Sequence, residues 1–293
     1  MTTVLDPESA DLTLLQDRQV AVLGFDAVAA AHALNLRDSG VDVWIGTSPD
    51  GRGAARAETE GLAVSTPEEA VSRCDIVLVP VGALGHGEHD LEMVQRLLLE
   101  HTEPGDLVVV TGGEPVRTGR LSVPDGVDLA MLRCVGDGDR VREEYLDGRG
   151  SPALVAVARD ESGAAWATLT AYAAAMGSLR SGAIVTTLDH EAEARQYAES
   201  HVFAPLRTSV EKAFETLVDR GVEEEVAYLA VVHDLKTRVD QIYQAGLATQ
   251  YGPDARPGTE PAEGARSRRA AQRAAHPLEH VGRRVRSMMS WIR

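Results

Sequence analysis

The sequence has little cysteine. Cys74 and Cys134 are the two cysteines among 293 residues, and neither belongs to a C-x-x-C pair. Such a count excludes a disulfide framework and a structural zinc site of the usual spacing. We interpret both thiols as reduced core residues.

The sequence also lacks a long apolar run and an excess of positive charge. No apolar stretch approaches the roughly 18 residues of a membrane span, and the acidic start MTTVLDPESADLTLLQD has no basic-then-apolar signal order. Asp and Glu number 45 against 29 Lys and Arg, a net charge of −16, whereas nucleic-acid binding depends on cations that neutralise phosphates. We therefore expect a cytoplasmic protein with neither a membrane nor a nucleic acid as partner.

Short Val-rich runs alternate with helical stretches up to Thr187. Runs that are nearly continuous in apolar residues are typical of strands buried on both faces of a parallel sheet. Strands that alternate with helices predict a doubly wound sheet, with a ligand crevice at the carboxyl ends of the strands. The sequence thus predicts an α/β, Rossmann-like domain over residues 1–187, with strands at 19–24, 41–46, 75–81, 106–110, 128–132 and 152–158.

Long helical periods replace this pattern after Thr187 and predict an all-helical domain over residues 188–293. Pro205 should kink or divide its first helix, because proline lacks the amide donor. The Pro-, Gly- and Arg-rich segment 252–275 is interpreted as a linker, followed by a last helix at 276–292.

The stretch VAVLGFDAVAAAHALNLRDSG (20–40) begins as a dinucleotide-binding turn does, with a strand that enters Gly24 and a helix after it. The fingerprint G-x-G-x-x-G has two more glycines after the first, and in this chain Asp26 and Ala29 occupy those two positions. A carboxylate about 4 Å from a phosphate charge costs on the order of 1 kcal/mol in water and about 4 at an effective dielectric of 20. We therefore expect no dinucleotide cofactor, with Gly24 serving only to close the turn.

Three strings align with one family: HALNLRDSGVDV (32–43), FETLVDRGVEEEVAYLAVVHDLK (214–236) and HPLEHVGRRVRSMMSWI (276–292). Together with ADLTLLQDRQVAVLG near the start, they resemble ketol-acid reductoisomerase, the magnesium- and NADPH-dependent enzyme of branched-chain amino-acid synthesis. The resemblance implies a Rossmann domain, a knotted helical domain, a site between the two and a homodimer through the helical domain. This chain has far fewer residues before its terminal helix, so we expect a shortened helical domain.

The resemblance also points to cofactor positions at which this chain departs from the family. The family's phosphate loop carries an Arg and two Ser; here Ser48 and two glycines match, which leaves Arg52 as the basic neighbour. The family's G-H-G-F histidine falls within TGGE (111–114), and the P-K-G-P-G-H lysine falls within CVGDGD (134–139). The candidate cofactor-binding residues are Gly24, Asp26, Ser48 and Arg52, and NADPH is kept as the lesser alternative to no cofactor.

The resemblance implies magnesium ligands in a D-x-x-x-E pair and an E-x-x-x-E pair. A spacing of four residues places both carboxylates of a pair on one helix face, where they can bind the same ion. Arg195 with Glu199, and Ala230 with Asp234, match those positions, so we expect no metal. Arg195 either forms an exposed i,i+4 pair with Glu199 or projects into the former metal pocket as a replacement cation. His233 is a further candidate, as a general base.

These departures lead us to expect a repurposed family member without isomeroreductase activity. It would use Arg195, Glu199, His233 and Asp234 for metal-independent chemistry of specialised metabolism, on a small polar substrate in the inter-domain cleft. Two alternatives stay open: a non-catalytic binding or scaffold protein, and an NAD(P)H-dependent reductase that binds its cofactor in an altered way.

Overall fold

A computed structural model describes residues 3–81 and 88–245. The chain divides into two compact units, Met1–Tyr197 and Ala198–Arg293. The linker predicted at 252–275 and the helix predicted at 276–292 lie outside the described residues.

The first unit is built on a twisted sheet whose described strands follow the order β1-β9-β8-β7-β6-β5-β2-β3-β4. Pairing is parallel from β7 through to β4 and between β8 and β9, and antiparallel between β7 and β8 and between β1 and β9. The strands are β1 (Val4–Leu5), β2 (Gln19–Leu23), β3 (Asp42–Gly46), β4 (Ala63–Ser65), β5 (Ile76–Val79), β6 (Leu107–Val110), β7 (Asp128–Cys134), β8 (Ala153–Arg159) and β9 (Ala183–Val185).

Helices cover both faces of this sheet, so the fold is of the predicted Rossmann-like α/β class. Two buried apolar clusters lie on opposite faces: α1 and α7 contribute Leu36 and Tyr172 to one, and α3 and α4 contribute Val71 and Leu98 to the other. The helices of this unit are α1 (Ala27–Asp38), α2 (Arg52–Thr59), α3 (Pro67–Arg73), α4 (Glu88–His101), α5 (Glu114–Arg117), α6 (Gly138–Leu146), α7 (Ala165–Ala175) and α8 (Leu188–Ala198).

All six predicted strands are confirmed, because their Val-rich runs are buried on both sides: every residue of β5 and β6 is buried. The predicted parallel, doubly wound sheet is confirmed from β7 through to β4, while β8 runs antiparallel to β7 and β1 antiparallel to β9. A strand covered on both faces carries no period-two pattern that would reveal its direction.

The second unit is helical throughout its described residues, as predicted. A π-helical segment (Glu199–Phe203) continues directly into α9 (Ala204–Asp219), and Phe203 and Ala204 at the junction keep right-handed helical angles, so Pro205 follows a π-helical interruption of a continuing helix. The following elements are α10 (Glu224–Tyr228), a π-helical segment (Leu229–His233) and α11 (Asp234–Ala245). In the described part of the chain, none of the helices has both the length and the apolar content to cross a membrane.

Candidate functional site

A crevice opens where the strand order reverses. β2 lies between β5 and β3, and connections that leave it in opposite directions open a gap at the carboxyl ends of the strands. Gly24 ends β2 with φ +78°, and its N–H donates to the carbonyl of Gly46 at 2.9 Å. A Cβ at Gly24 would meet nothing within 4 Å. Glycine is therefore used here for its left-handed backbone angle, as in a dinucleotide-binding turn.

Asp26 is the N-cap of α1. Its Oδ1 accepts a hydrogen bond from the N–H of Ala29 at 2.8 Å, where the helix dipole favours negative charge. Ala29 itself is fully buried, so its small side chain allows the close packing that the third glycine provides in the fingerprint. The carboxylate of Asp26 is thus engaged with the backbone of its own helix.

The loop after β3 offers polar groups at the rim of the crevice. Ser48 and Arg52 are both exposed, and the carbonyl of Ser48 accepts from the N–H of Gly51 at 2.9 Å. Arg52 begins α2 and has no hydrogen-bond or ion-pair partner among the described residues. One turn further, the guanidinium of Arg56 lies 5.7 Å from the ring centroid of Phe25. This rim therefore presents positive charge near the turn at Gly24.

A pocket of about 150 Å³ lies at the carboxyl ends of β5, β6 and β7, beside the first turns of α1. Its apolar lining includes Val28 and Val141, and its polar lining includes Thr111, Arg133 and Arg195. The N–H of Val81 donates to Thr111 Oγ1 at 2.7 Å, which ties the end of β5 to the end of β6. Two guanidinium groups thus face one small space at the strand ends.

A buried carboxylate organises one wall of this pocket. Glu191, near the start of α8, is 2% exposed. Its Oε2 accepts from the N–H of Gly113 and its Oε1 accepts from Nη1 of Arg133, each at 2.7 Å. A buried carboxylate needs such charge-assisted partners to offset its loss of hydration. Glu191 therefore fixes both the turn after β6 and the side chain of Arg133.

Arg195 lies one helical turn beyond Glu191, on the same face of α8. Residues four apart on a helix are neighbours. Arg195 lines the pocket directly, whereas Glu191 contacts the lining residue Arg133. Nη1 of Arg195 is 3.0 Å from the position that a Cβ on Gly112 would take. On Gly113, a Cβ would collide with the backbone carbonyl of Leu188. The close approach of the α8 backbone therefore requires glycine at residue 113, whereas a Cβ at residue 112 would be tight only against the end of the Arg195 side chain.

Two titratable groups beside the pocket are held neutral by burial. Burial lowers the pKa of His32 to about 3, and its Nδ1 lies 3.0 Å from the hydroxyl of Tyr172. Burial also raises the pKa of Cys134 to about 11, so its thiol is protonated near neutral pH and is no nucleophile. Neither group brings a charge to the pocket.

The remaining candidate residues lie in the second unit and are exposed. Glu199 forms an ion pair with Arg207 at 3.7 Å. His233 ends a π-helical segment and Asp234 begins α11. Among the residues that the structure describes, no group of three or more His, Cys, Asp or Glu side chains could hold a metal ion.

Two family descriptions cover most of the chain. Residues 14–182 match "Acetohydroxy acid isomeroreductase, NADPH-binding domain", and residues 188–253 match "Ketol-acid reductoisomerase, C-terminal domain". The chain belongs to the ketol-acid reductoisomerase family. The resemblance stated from the sequence strings is therefore confirmed.

Individual relatives agree with this assignment. A ketol-acid reductoisomerase (NADP(+)) of Beutenbergia cavernae is 34% identical over 333 positions, which cover 100% of this chain and 96% of that protein. One of Kineococcus radiotolerans is 35% identical over 338 positions, with coverage of 100% and 96%. Among solved structures, an NADH-preferring ketol-acid reductoisomerase from an uncultured archean matches with a TM-score of 0.75 at 29% identity, covering 83% of this chain and 74% of that chain.

These similarities overturn two expectations. The absence of a nicotinamide cofactor is wrong, because the first match is to the NADPH-binding domain of the family. The physical error was to treat Asp26 as a free charge at the phosphate position, whereas it caps α1.

The repurposed role without isomeroreductase activity is wrong as well, because the near-full-length relatives are named ketol-acid reductoisomerases. That expectation counted lost residues and did not include Arg133, which lines the pocket beside Arg195.

Sequence reasoning missed three residues that shape this ketol-acid reductoisomerase pocket. Arg133 directly follows the predicted strand 128–132, and no motif marks it as functional. Glu191 lies in a charged helical stretch and has the pattern of an ordinary solvent-exposed helix residue. Gly112 was recorded only as the loss of a histidine. The available signal was the i,i+4 spacing of Glu191 and Arg195 in a helix that follows the sheet, which places both on one face.

Proposed function

We propose that the protein is an NAD(P)H-dependent ketol-acid reductoisomerase that reduces an acetohydroxy acid. The observation that carries this proposal is the pocket at the carboxyl ends of β5, β6 and β7, with Arg133 and Arg195 facing it. It lies at the position where a doubly wound sheet binds its ligand. The names of the relatives, which specify NADP(+), support the choice of cofactor and reaction.

The crevice fits a nicotinamide dinucleotide. Gly24 provides the left-handed turn, and Asp26 fixes the first turn of α1 against which the cofactor would lie. Ser48 and Arg52 are free at the rim and would hold the phosphate of the adenosine ribose, since an arginine at this place accommodates a 2′-phosphate. When bound, the cofactor supplies the hydride for the reduction.

The side chains of the pocket bind and orient the substrate. Guanidinium groups remain charged at every working pH and donate paired hydrogen bonds to carboxylate oxygens. The neutral His32 and the apolar Val28 and Val141 form part of the remaining wall.

Glu199, His233 and Asp234 are proposed as functional groups of the helical domain. The support for Glu199 and Asp234 is their position in the sequence, where the family carries its D-x-x-x-E and E-x-x-x-E carboxylates, and His233 adjoins Asp234. The start of the second family match at residue 188 supports a domain boundary between residues 187 and 188.

A homodimer through the helical domain is also proposed. Apart from Ala227, the described residues of this unit are exposed or half-buried, and several exposed ones are large and apolar. Phe203 is 52% exposed and Tyr228 is 55% exposed, with Val202, Leu206, Val226 and Leu229 also exposed. An exposed apolar surface of this kind supports a second copy of this chain as its occupant. Native mass spectrometry should give twice the chain mass, and a monomer at micromolar concentration would contradict the dimer.

The test of the proposed function has two arms. Titration of the purified protein with NADPH and with NADH should show saturable nicotinamide fluorescence in the micromolar range. With acetolactate and magnesium present, the reduced nicotinamide should be consumed in proportion to dihydroxy-acid product. Absence of nucleotide binding would refute the cofactor proposal; binding without turnover of acetolactate would refute the choice of substrate.

A further inference from the structure

We propose that Arg195 and Arg133 form a two-guanidinium clamp for the carboxylate of a small 2-oxo or 2-hydroxy acid. Both side chains line the pocket at the ends of β5, β6 and β7. The assignment of this acid as the substrate rests on the proposed function, whereas the binding of a carboxylate does not.

The space for the Arg195 guanidinium exists because residue 112 is glycine. Nη1 of Arg195 is 3.0 Å from the place of a Cβ on Gly112, and the next nearest side chain is that of Val81, at 3.8 Å. Any side chain at residue 112 and the guanidinium of Arg195 would therefore compete for one volume.

α8 positions the two arginines in different ways. Glu191 accepts hydrogen bonds from Gly113 and from Arg133 at 2.7 Å each, and Arg195 follows four residues later on the same helix face. Thr111 accepts from the N–H of Val81 and so joins two strand ends. Arg133 is thus already positioned, which lowers the entropy cost of its contact with a ligand, whereas the side chain of Arg195 is exposed.

After the ion pair of Arg133 with Glu191 is counted, the guanidinium of Arg195 is the positive charge that remains for a ligand. Glu191 neutralises one guanidinium through its bond to Arg133, whose side chain is still 37% exposed. Arg195 has no acidic partner among the described residues. A pocket of about 150 Å³ admits only a group of a few heavy atoms, and the planar guanidinium fork matches a carboxylate in two parallel hydrogen bonds. A compact carboxylate meets both requirements.

Calorimetric titration of the full chain with oxalate in metal-free buffer tests this clamp. Arg195→Gln should weaken oxalate binding by about tenfold or more, and Arg195→Lys by less, because lysine keeps the charge but loses the fork. Gly112→Ala should weaken binding several-fold without any change of charge, because the new methyl displaces Nη1. Arg96→Gln, at an exposed arginine on α4, is the matched control and should leave the affinity unchanged.

The outcomes separate the clamp from the proposed function. Oxalate affinity that is unchanged in Arg195→Gln would overturn the clamp, even if NADPH still binds. Failure of NADPH to bind, together with oxalate binding that depends on Arg195, would overturn the proposed function and leave the clamp standing. Equal weakening by Arg195→Gln and Arg96→Gln would indicate a general charge effect and would also overturn the clamp.

Discussion

Arg133 and Glu191 are 58 residues apart in the sequence, yet Nη1 of the arginine donates to Oε1 of the glutamate at 2.7 Å. The glutamate side chain is inaccessible to solvent, whereas that of the arginine is 37% exposed. This ion pair joins α8 to β7, and the second oxygen of Glu191 joins α8 to the turn after β6. One carboxylate therefore connects three elements of the pocket.

Replacement of Glu191 by alanine should strongly destabilise the protein. It leaves the N–H of Gly113 buried without an acceptor and leaves Arg133 without its counter-charge, a loss of about 3 kcal/mol for a partly solvated pair. Glu191→Gln keeps an acceptor and should lose about half as much. Urea unfolding of both variants measures the free energies. Equal stability of the alanine variant and the wild type would contradict this account of the pair.

The adjacent glycines after β6 should respond differently to alanine. Gly113→Ala forces a Cβ into the carbonyl of Leu188, which is backbone and cannot move freely, so we expect a loss of about 2–4 kcal/mol. Gly112→Ala meets only the flexible end of Arg195 and should cost below about 1 kcal/mol. Thermal unfolding of the two variants measures the contrast. Similar melting temperatures would show that α8 packs less closely than described.

The candidate site was predictable only in part, for physical reasons that differ between residues. β2, β5 and β6 are visible in the sequence because central strands need continuous apolar runs, whereas β1, β4 and β9 have only two or three residues each. Asp26 was noticed, but its role depends on an N-cap hydrogen bond that no local pattern separates from a free carboxylate. Arg133 and Glu191 meet only through the tertiary fold, which sequence spacing does not encode.

Stability should fall on acidification through the charging of His32. Burial lowers its pKa from 6.5 to about 3, so the unfolded chain binds a proton between these values and the folded chain does not. The stabilisation that comes from burying His32 in its neutral form is therefore fully present above pH 6.5 and is lost as the pH falls toward 3. Replacement of His32 by asparagine, which can still hydrogen-bond to Tyr172, should flatten the dependence in that window. We expect urea unfolding at pH 7 and pH 5 to show a smaller difference for the variant, and an unchanged difference would contradict the assignment.

Arg52 should discriminate between the two nicotinamide cofactors. Its exposed guanidinium begins α2 and has no partner in the described part of the chain, so a 2′-phosphate would be its first counter-charge. Arg52→Gln should weaken NADPH binding by about tenfold, the value of one charge-assisted contact, and should change NADH binding little because NADH lacks that phosphate.

Ser48→Ala should act in the same direction with a smaller effect, and Arg96→Gln should affect neither cofactor. Fluorescence titration gives all the dissociation constants. An equal loss for both cofactors in Arg52→Gln would place Arg52 at the shared part of the dinucleotide, and no loss for either would remove it from the site.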